Sequence, residues 1–164
     1  MAYCNYNGQT FVNTCVPAPG ATATDATYVV DLTHYLCGNR KVCANAAYPV
    51  TGDLKYRVLG APQPVGNDTY VVDVLITGSA TYMPYVNGQS RCGCGCGCSC
   101  PKTDNVWATV SVPWGSATAP VVTAGDVLAG PTNLRDCCNV TNAVSLTTSF
   151  NLAAGNAAQG NTKK

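Results

Sequence analysis

Five of the chain's eleven cysteines alternate with small residues in the run Cys92-Gly93-Cys94-Gly95-Cys96-Gly97-Cys98-Ser99-Cys100. Thiols at this spacing can do two kinds of chemistry. In an extended segment every second side chain points the same way, so all of them line one face and the glycines leave the other face bare. In a looped segment, glycine freedom lets the chain wrap thiolates around a soft cation such as Zn²⁺ or Cu⁺. Distance separates the two. Alternate residues on a flat strand lie roughly 6.5–7 Å apart, whereas a disulfide needs Cβ atoms about 3.5–4.5 Å apart. Neighbours in the run therefore pair poorly with one another. The expected partners are the remaining cysteines: Cys4, Cys15, Cys37, Cys43 and the vicinal Cys137 and Cys138. Disulfide cross-linking is the leading expectation, and it needs no cofactor. Zn or Cu held on Cys92, Cys94, Cys96, Cys98 and Cys100 is the alternative. The Cys-x-x-Cys pairs of common zinc sites and the Cys-x-x-Cys-His signature of attached haem are both missing.

No catalytic constellation stands out. His34 is the only histidine, and Cys37 three residues on is a weak partner for nucleophilic chemistry, so a surface or structural histidine is expected. The chain has eight Asp and no Glu; Asp53, Asp68, Asp104 and Asp126 sit beside turn residues, where Asx-turn roles account for them. A Gly-rich phosphate loop, a serine nucleophile elbow and an acidic Ca²⁺ loop are all missing. No catalytic residue is assigned, and the chain is read as a non-enzyme. Tyr82, Tyr85, Trp107 and Trp114 suit either an aromatic patch for a glycan or core and edge packing, with packing the expected role. Asn67-Asp68-Thr69 and Asn139-Val140-Thr141 match the glycosylation acceptor pattern, as chance would produce in an Asn- and Thr-rich chain.

Composition narrows the partners. Only 10% of the 164 residues are charged, the formal net charge is +1 and the pI is about 7.4. No basic stripe exists to neutralise phosphates, so no nucleic-acid partner is expected. Weak charge also removes the repulsion that keeps soluble proteins apart, so the expected partner is the chain itself. No run approaches the roughly 20 apolar residues of a membrane-spanning helix. The start, MAYCNYNGQTFVNTC, lacks the basic and apolar regions of a signal peptide. So many cysteines without a leader fit either thiols that hold metal inside a cell or, the leading expectation, non-classical release followed by oxidation at a virion, spore or filament surface.

Periodicity must then supply elements to hold these groups. Tyr28, Val30 and Leu32 alternate with Val29, Asp31 and Thr33; Tyr70, Val72, Val74 and Ile76 do so across 69–78, with 80–86 a continuation past Gly78-Ser79. Val106, Ala108, Val110 and Val112 form a third such set, and Val144 to Leu152 a fourth. Shorter candidates lie at 41–50 and 54–60, and a helical turn is admitted only near 124–129. Turn chemistry at 50–53, 61–68, 87–88, 113–115 and 130–133 separates the segments. Seven or eight such strands predict an all-β, single-domain β-sandwich, jelly-roll or immunoglobulin-like. An irregular N-terminal arm, 1–24, precedes the sandwich at 25–152, which carries the cysteine-rich segment 91–101; a low-complexity tail, 153–164, follows.

A cysteine-bearing arm (Cys4, Cys15) ahead of a small sandwich resembles, in layout alone, cysteine-rich spore-appendage subunits. The functional expectation is a self-assembling structural subunit of an extracellular filament, a spore or cell-surface layer or a virion, locked by cysteine cross-links. A metal-binding module is the alternative, and a carbohydrate-binding accessory domain the third reading.

Overall fold

A computed structural model of the chain describes residues 9–36, 42–43, 50–83, 101–131 and 140–155. Within them every regular element is a strand: β1 (Thr10–Pro17), β2 (Asp25–Tyr35), β3 (Val42–Cys43), β4 (Thr51–Gly66), β5 (Thr69–Tyr82), β6 (Lys102–Trp114), β7 (Pro120–Pro131), β8 (Val140–Thr141) and β9 (Ala143–Ala154). They form a four-stranded sheet in the order β1-β2-β9-β7, a three-stranded sheet β4-β5-β6 and a short β3-β8 ladder. All pairings are antiparallel. The all-β sandwich expected from periodicity is the fold observed.

The alternating residues explain why two sheets close on one core. Along β2, Ala26, Tyr28, Val30, Leu32 and His34 are buried while the intervening residues are partly or fully exposed. Val144, Leu146, Thr148, Phe150 and Leu152 do the same on β9, which pairs with β2 without a break from Asp25↔Ala153 to Tyr35↔Ala143. The opposite layer contributes Val72, Val74, Ile76, Ala80 and Tyr82 from β5, and Val106, Ala108, Val110, Val112 and Trp114 from β6. Phe150 stacks against Tyr28 with centroids 5.6 Å apart and tilts against Tyr56 of the other sheet at 5.5 Å. Burying each such side chain stabilises the fold by about 1.5–3 kcal/mol. Polar ties also cross between the layers, among them the Tyr28 hydroxyl donating to the Pro113 carbonyl at 3.0 Å and a hydroxyl–hydroxyl bond between Tyr56 and Thr148.

Three details differ from the sequence reading. Residues 10–17, inside the stretch expected to be irregular, form β1, because Thr10, Phe11, Val12 and Val16 favour extended backbone and the strand finds a partner in β2. The helical turn admitted at 124–129 is instead a register break in β7 between Ala124 and Val127. Gly125 there lies flush on β9: an added Cβ would sit 2.1 Å from Ser149 Oγ, while Thr148 donates to the Asp126 carbonyl at 3.2 Å. Thirdly, β4 runs from Thr51 to Gly66 across the positions read as turns. Its true turn is Asn67-Asp68, both at positive φ (50° and 61°), the backbone that two-residue hairpins prefer.

The continuation expected past Gly78-Ser79 is observed as far as Tyr82, since β5 runs unbroken through both residues; 84–86 lie outside the described residues. Gly78 holds φ at 153°, and a Cβ there would lie 1.9 Å from the Asp53 carbonyl oxygen of β4. Only glycine lets those two backbones meet. Gly78→Ala should therefore lower stability by about 3 kcal/mol or more. Gly60→Ala, at φ 69° with open space around it, should cost only about 1–2 kcal/mol. Urea unfolding of the two variants tests this; equal midpoints would refute the close approach.

Candidate functional site

The two sheets meet differently along their two seams. At the β4/β7 seam the gap is closed: a Cβ on Gly52 would be 3.0 Å from side-chain atoms of Leu146 and Val127, so side chains fill the space. Along the other seam, between edge strands β1 and β6, lies an open groove of about 600 Å³ lined by Gln9, Thr10, Phe11, Asn105, Trp107, Ala108 and Thr109. None of these side chains is charged. Trp107 stands out, 70% exposed on the outer face of β6, whereas Trp114 on the inner face is 2% exposed. The Trp114 indole N–H donates to the Thr118 carbonyl at 2.8 Å, which satisfies its one polar atom inside the fold. The Phe11 ring packs edge-on against Tyr35 at 5.8 Å.

A buried polar cluster ties this seam together at one end. His34, with 0% exposure, places Nε2 3.0 Å from Asp104 Oδ2 and Nδ1 2.8 Å from the Thr10 hydroxyl. Tyr82 donates to the other Asp104 oxygen at 3.2 Å. The cluster thus joins β1, β2, β5 and β6. Strand parity puts it there: His34 continues the inward series Tyr28, Val30, Leu32, and Asp104 is in phase with Val106, Ala108 and Val110. Of the two roles expected for His34, surface or structural, its burial and its two side-chain bonds fit the structural one. Asp104 is not the turn residue its neighbours suggested; it is a buried partner, and its parity with the valines was the signal available.

Hydroxyl, imidazole and carboxyl in line are the parts of a nucleophilic relay, and Thr10 borders the groove. The imidazole is 0% exposed, and its bond to Asp104 bridges the four-stranded and three-stranded sheets. The arrangement suits holding two sheets together. Removing one partner leaves the other buried without its counterpart, which costs roughly 3 kcal/mol or more.

Of the cysteines, Cys4, Cys37, Cys92, Cys94, Cys96, Cys98, Cys100, Cys137 and Cys138 lie outside the described residues, as does Tyr85. Cys43 lies on β3 in register with Val140. Cys15 is a free thiol on β1, opposite Val30 and packed against the core. Burial pushes its pKa up, which lowers the thiolate fraction and hence its reactivity. Among the described residues, no three His, Cys, Asp or Glu side chains gather where they would hold a metal ion. Among the described residues of the expected aromatic set, Trp107 is exposed, and Tyr82 and Trp114 belong to the core. No helix among the described residues is long and apolar enough to cross a membrane. Comparison with family models, curated proteins and solved structures finds no match to any of them.

Two measurements follow. His34→Ala and Asp104→Ala should each destabilise by roughly 3 kcal/mol, and the double variant by less than their sum; additive costs would show that the pair does not act as a unit. The second concerns alkaline pH. Burial raises the pKa of Cys15, Tyr28 and Tyr56; the nearby Cys15 adds to the rise at Tyr28, and the Thr148 hydrogen bond opposes it at Tyr56. The unfolded chain releases these protons at ordinary values, roughly pH 8.5 for a thiol and 10 for a phenol, while the folded chain keeps them to higher pH. Below both values the three groups add no pH dependence; above them the folded state binds more protons and stability falls. The urea midpoint should decline above about pH 9, less steeply in Tyr56→Phe. An equal slope in that variant would remove Tyr56 from the account.

Proposed function

We propose that this chain is a self-assembling structural subunit of an extracellular filament, a surface layer or a virion, locked after release by cysteine cross-links. One observation carries the reading. Among the described residues, the large apolar side chains left exposed are concentrated on the sheet edges: Phe11, Val12 and Val16 on β1, Val65 on β4, Trp107 on β6, Val121 and Leu128 on β7, with Val29 alone on an interior strand. Edge strands carry unpaired backbone groups, and exposed apolar side chains beside them favour pairing with another chain. The net charge of +1 offers little repulsion against it.

The eleven cysteines fit a covalent lock on such contacts. Zn or Cu binding by Cys92 to Cys100 stays a competing proposal, tested by elemental analysis before and after those cysteines are changed to Ser. Glycan binding has one observation in its favour, the exposed Trp107 beside a groove without charged side chains. It requires saturable binding of a neutral oligosaccharide that Trp107→Ala abolishes.

For the assembly reading, non-reducing gels should show a ladder of multimers that collapses to one band with reductant, and electron microscopy should show regular particles or fibres. A single monomer band in both lanes, with no assemblies on the grid, would overturn it.

A further inference from the structure

The four sheet edges are not equally guarded. Natural sheets protect edges with bulges, prolines and charges. On β1 the register shifts between Val12 and Thr14 and the strand ends at Pro17. On β4 it shifts twice, between Leu59 and Gln63 and between Pro64 and Gly66, with Lys55 and Arg57 exposed nearby. On β7 it shifts between Ala124 and Val127, and prolines stand at both ends. Along β6 there is no shift: all 13 residues stay in register with β5 from Tyr70↔Trp114 to Tyr82↔Lys102. Its guards sit only at the ends, Lys102 and the inward Asp104 at one and Pro113 at the other. Between them Asn105-Val-Trp107-Ala-Thr109-Val-Ser111-Val112 carries no charge, proline, glycine or bulge. Among the described residues no strand pairs with its outer side, and the groove beside β1 leaves room there.

From this we infer that β6 is the primary contact between copies of the chain, pairing antiparallel with β6 of a second copy about a two-fold axis, so that two three-stranded sheets become one. The inference rests on the self-assembly reading and names its surface. A second copy is the best-matched occupant because the edges of β1, β4 and β7 are broken by bulges, so only β6 offers an unbroken edge of equal length. Strands paired this way keep their outer faces together, because the axis runs perpendicular to the sheet. With the axis at Ala108, the midpoint of the strand, Trp107 lies opposite Thr109 of the other copy and Asn105 opposite Ser111. The two indoles become diagonal neighbours, roughly 7–8 Å apart and within reach of each other. Lys102 falls opposite Trp114, so no like charges meet. A tryptophan desolvated near the centre of an interface is the residue type that most often dominates its affinity.

The test is sedentation-equilibrium ultracentrifugation of the full chain in reductant, where cross-links contribute nothing. Wild type should be dimeric or larger, with Trp107 emission shifting to the blue as concentration rises. Trp107→Ala and Thr109→Asp, both at exposed positions, should weaken the dimer about tenfold or more. Leu128→Asp, an equal insult on the 71% exposed residue of β7, should leave it unchanged. Circular dichroism and melting of each variant confirm the fold. If wild type associates and both β6 variants associate equally well, the β6 contact is wrong and self-assembly stands. If Leu128→Asp alone dissociates the protein, the contact lies on β7. If wild type is monomeric throughout, this inference fails; the assembly reading fails with it only when non-reducing gels also show a single monomer band, and saturable binding of a neutral oligosaccharide at Trp107 would then assign the edge to a glycan.

Discussion

The ladder between β2 and β9 is the constraint on which the other elements depend. It joins residues 25–35 to 143–153 in unbroken register, so segments from opposite ends of the chain must meet before the larger sheet exists. Both β1 and β7 attach to this pair, one on each side. Its inward side chains, Tyr28, Val30, Leu32, Leu146, Phe150 and Leu152, make one wall of the core. The smaller sheet can form locally by comparison, since β4-β5 is a hairpin and β5-β6 are consecutive. Contacts so distant in sequence carry a loop-closure cost that local ones avoid, so slow folding is natural for this topology.

Closure of the two layers is uneven, and the two seams differ in chemistry. At the β4/β7 seam a glycine at 52 lets Leu146 and Val127 fill the space between the sheets. At the β1/β6 seam the layers are joined by polar groups, Thr10, His34, Asp104 and Tyr82, which require geometry as well as proximity. Beyond this cluster the seam is open, and Trp107 borders that opening. A low surface charge then makes the exposed edges the feature that governs encounters between copies.

Much of this was legible along the chain. Period-two alternation in Tyr28–Leu32, Tyr70–Ile76, Val106–Val112 and Val144–Leu152 foretold the strands that make the core, because a strand buried on one side must alternate. What misled was local turn chemistry. Pro62, Pro64 and Gly66 read as a loop, yet β4 absorbs them by shifting register. The stretch 124–129 admitted a helical turn, yet pairing with β9 makes it a strand with a register shift between Ala124 and Val127. In both places the partner strand overrides a weak local preference, as tertiary context generally does in sheets.

By itself the sequence determined the class of fold, the alternating sets that make the core on β2, β5, β6 and β9, and the chemical stock available, rich in thiols and poor in charge. Those properties depend on residue type and on a spacing of two, and both can be read from a single strand in isolation. Only the tertiary structure decided which strands become edges, and therefore that Trp107 is exposed while Trp114 is buried. It also decided that His34 and Asp104, 70 residues apart, form one buried pair. Edge position and long-range partnership depend on the order of strands across a sheet, which no local pattern encodes.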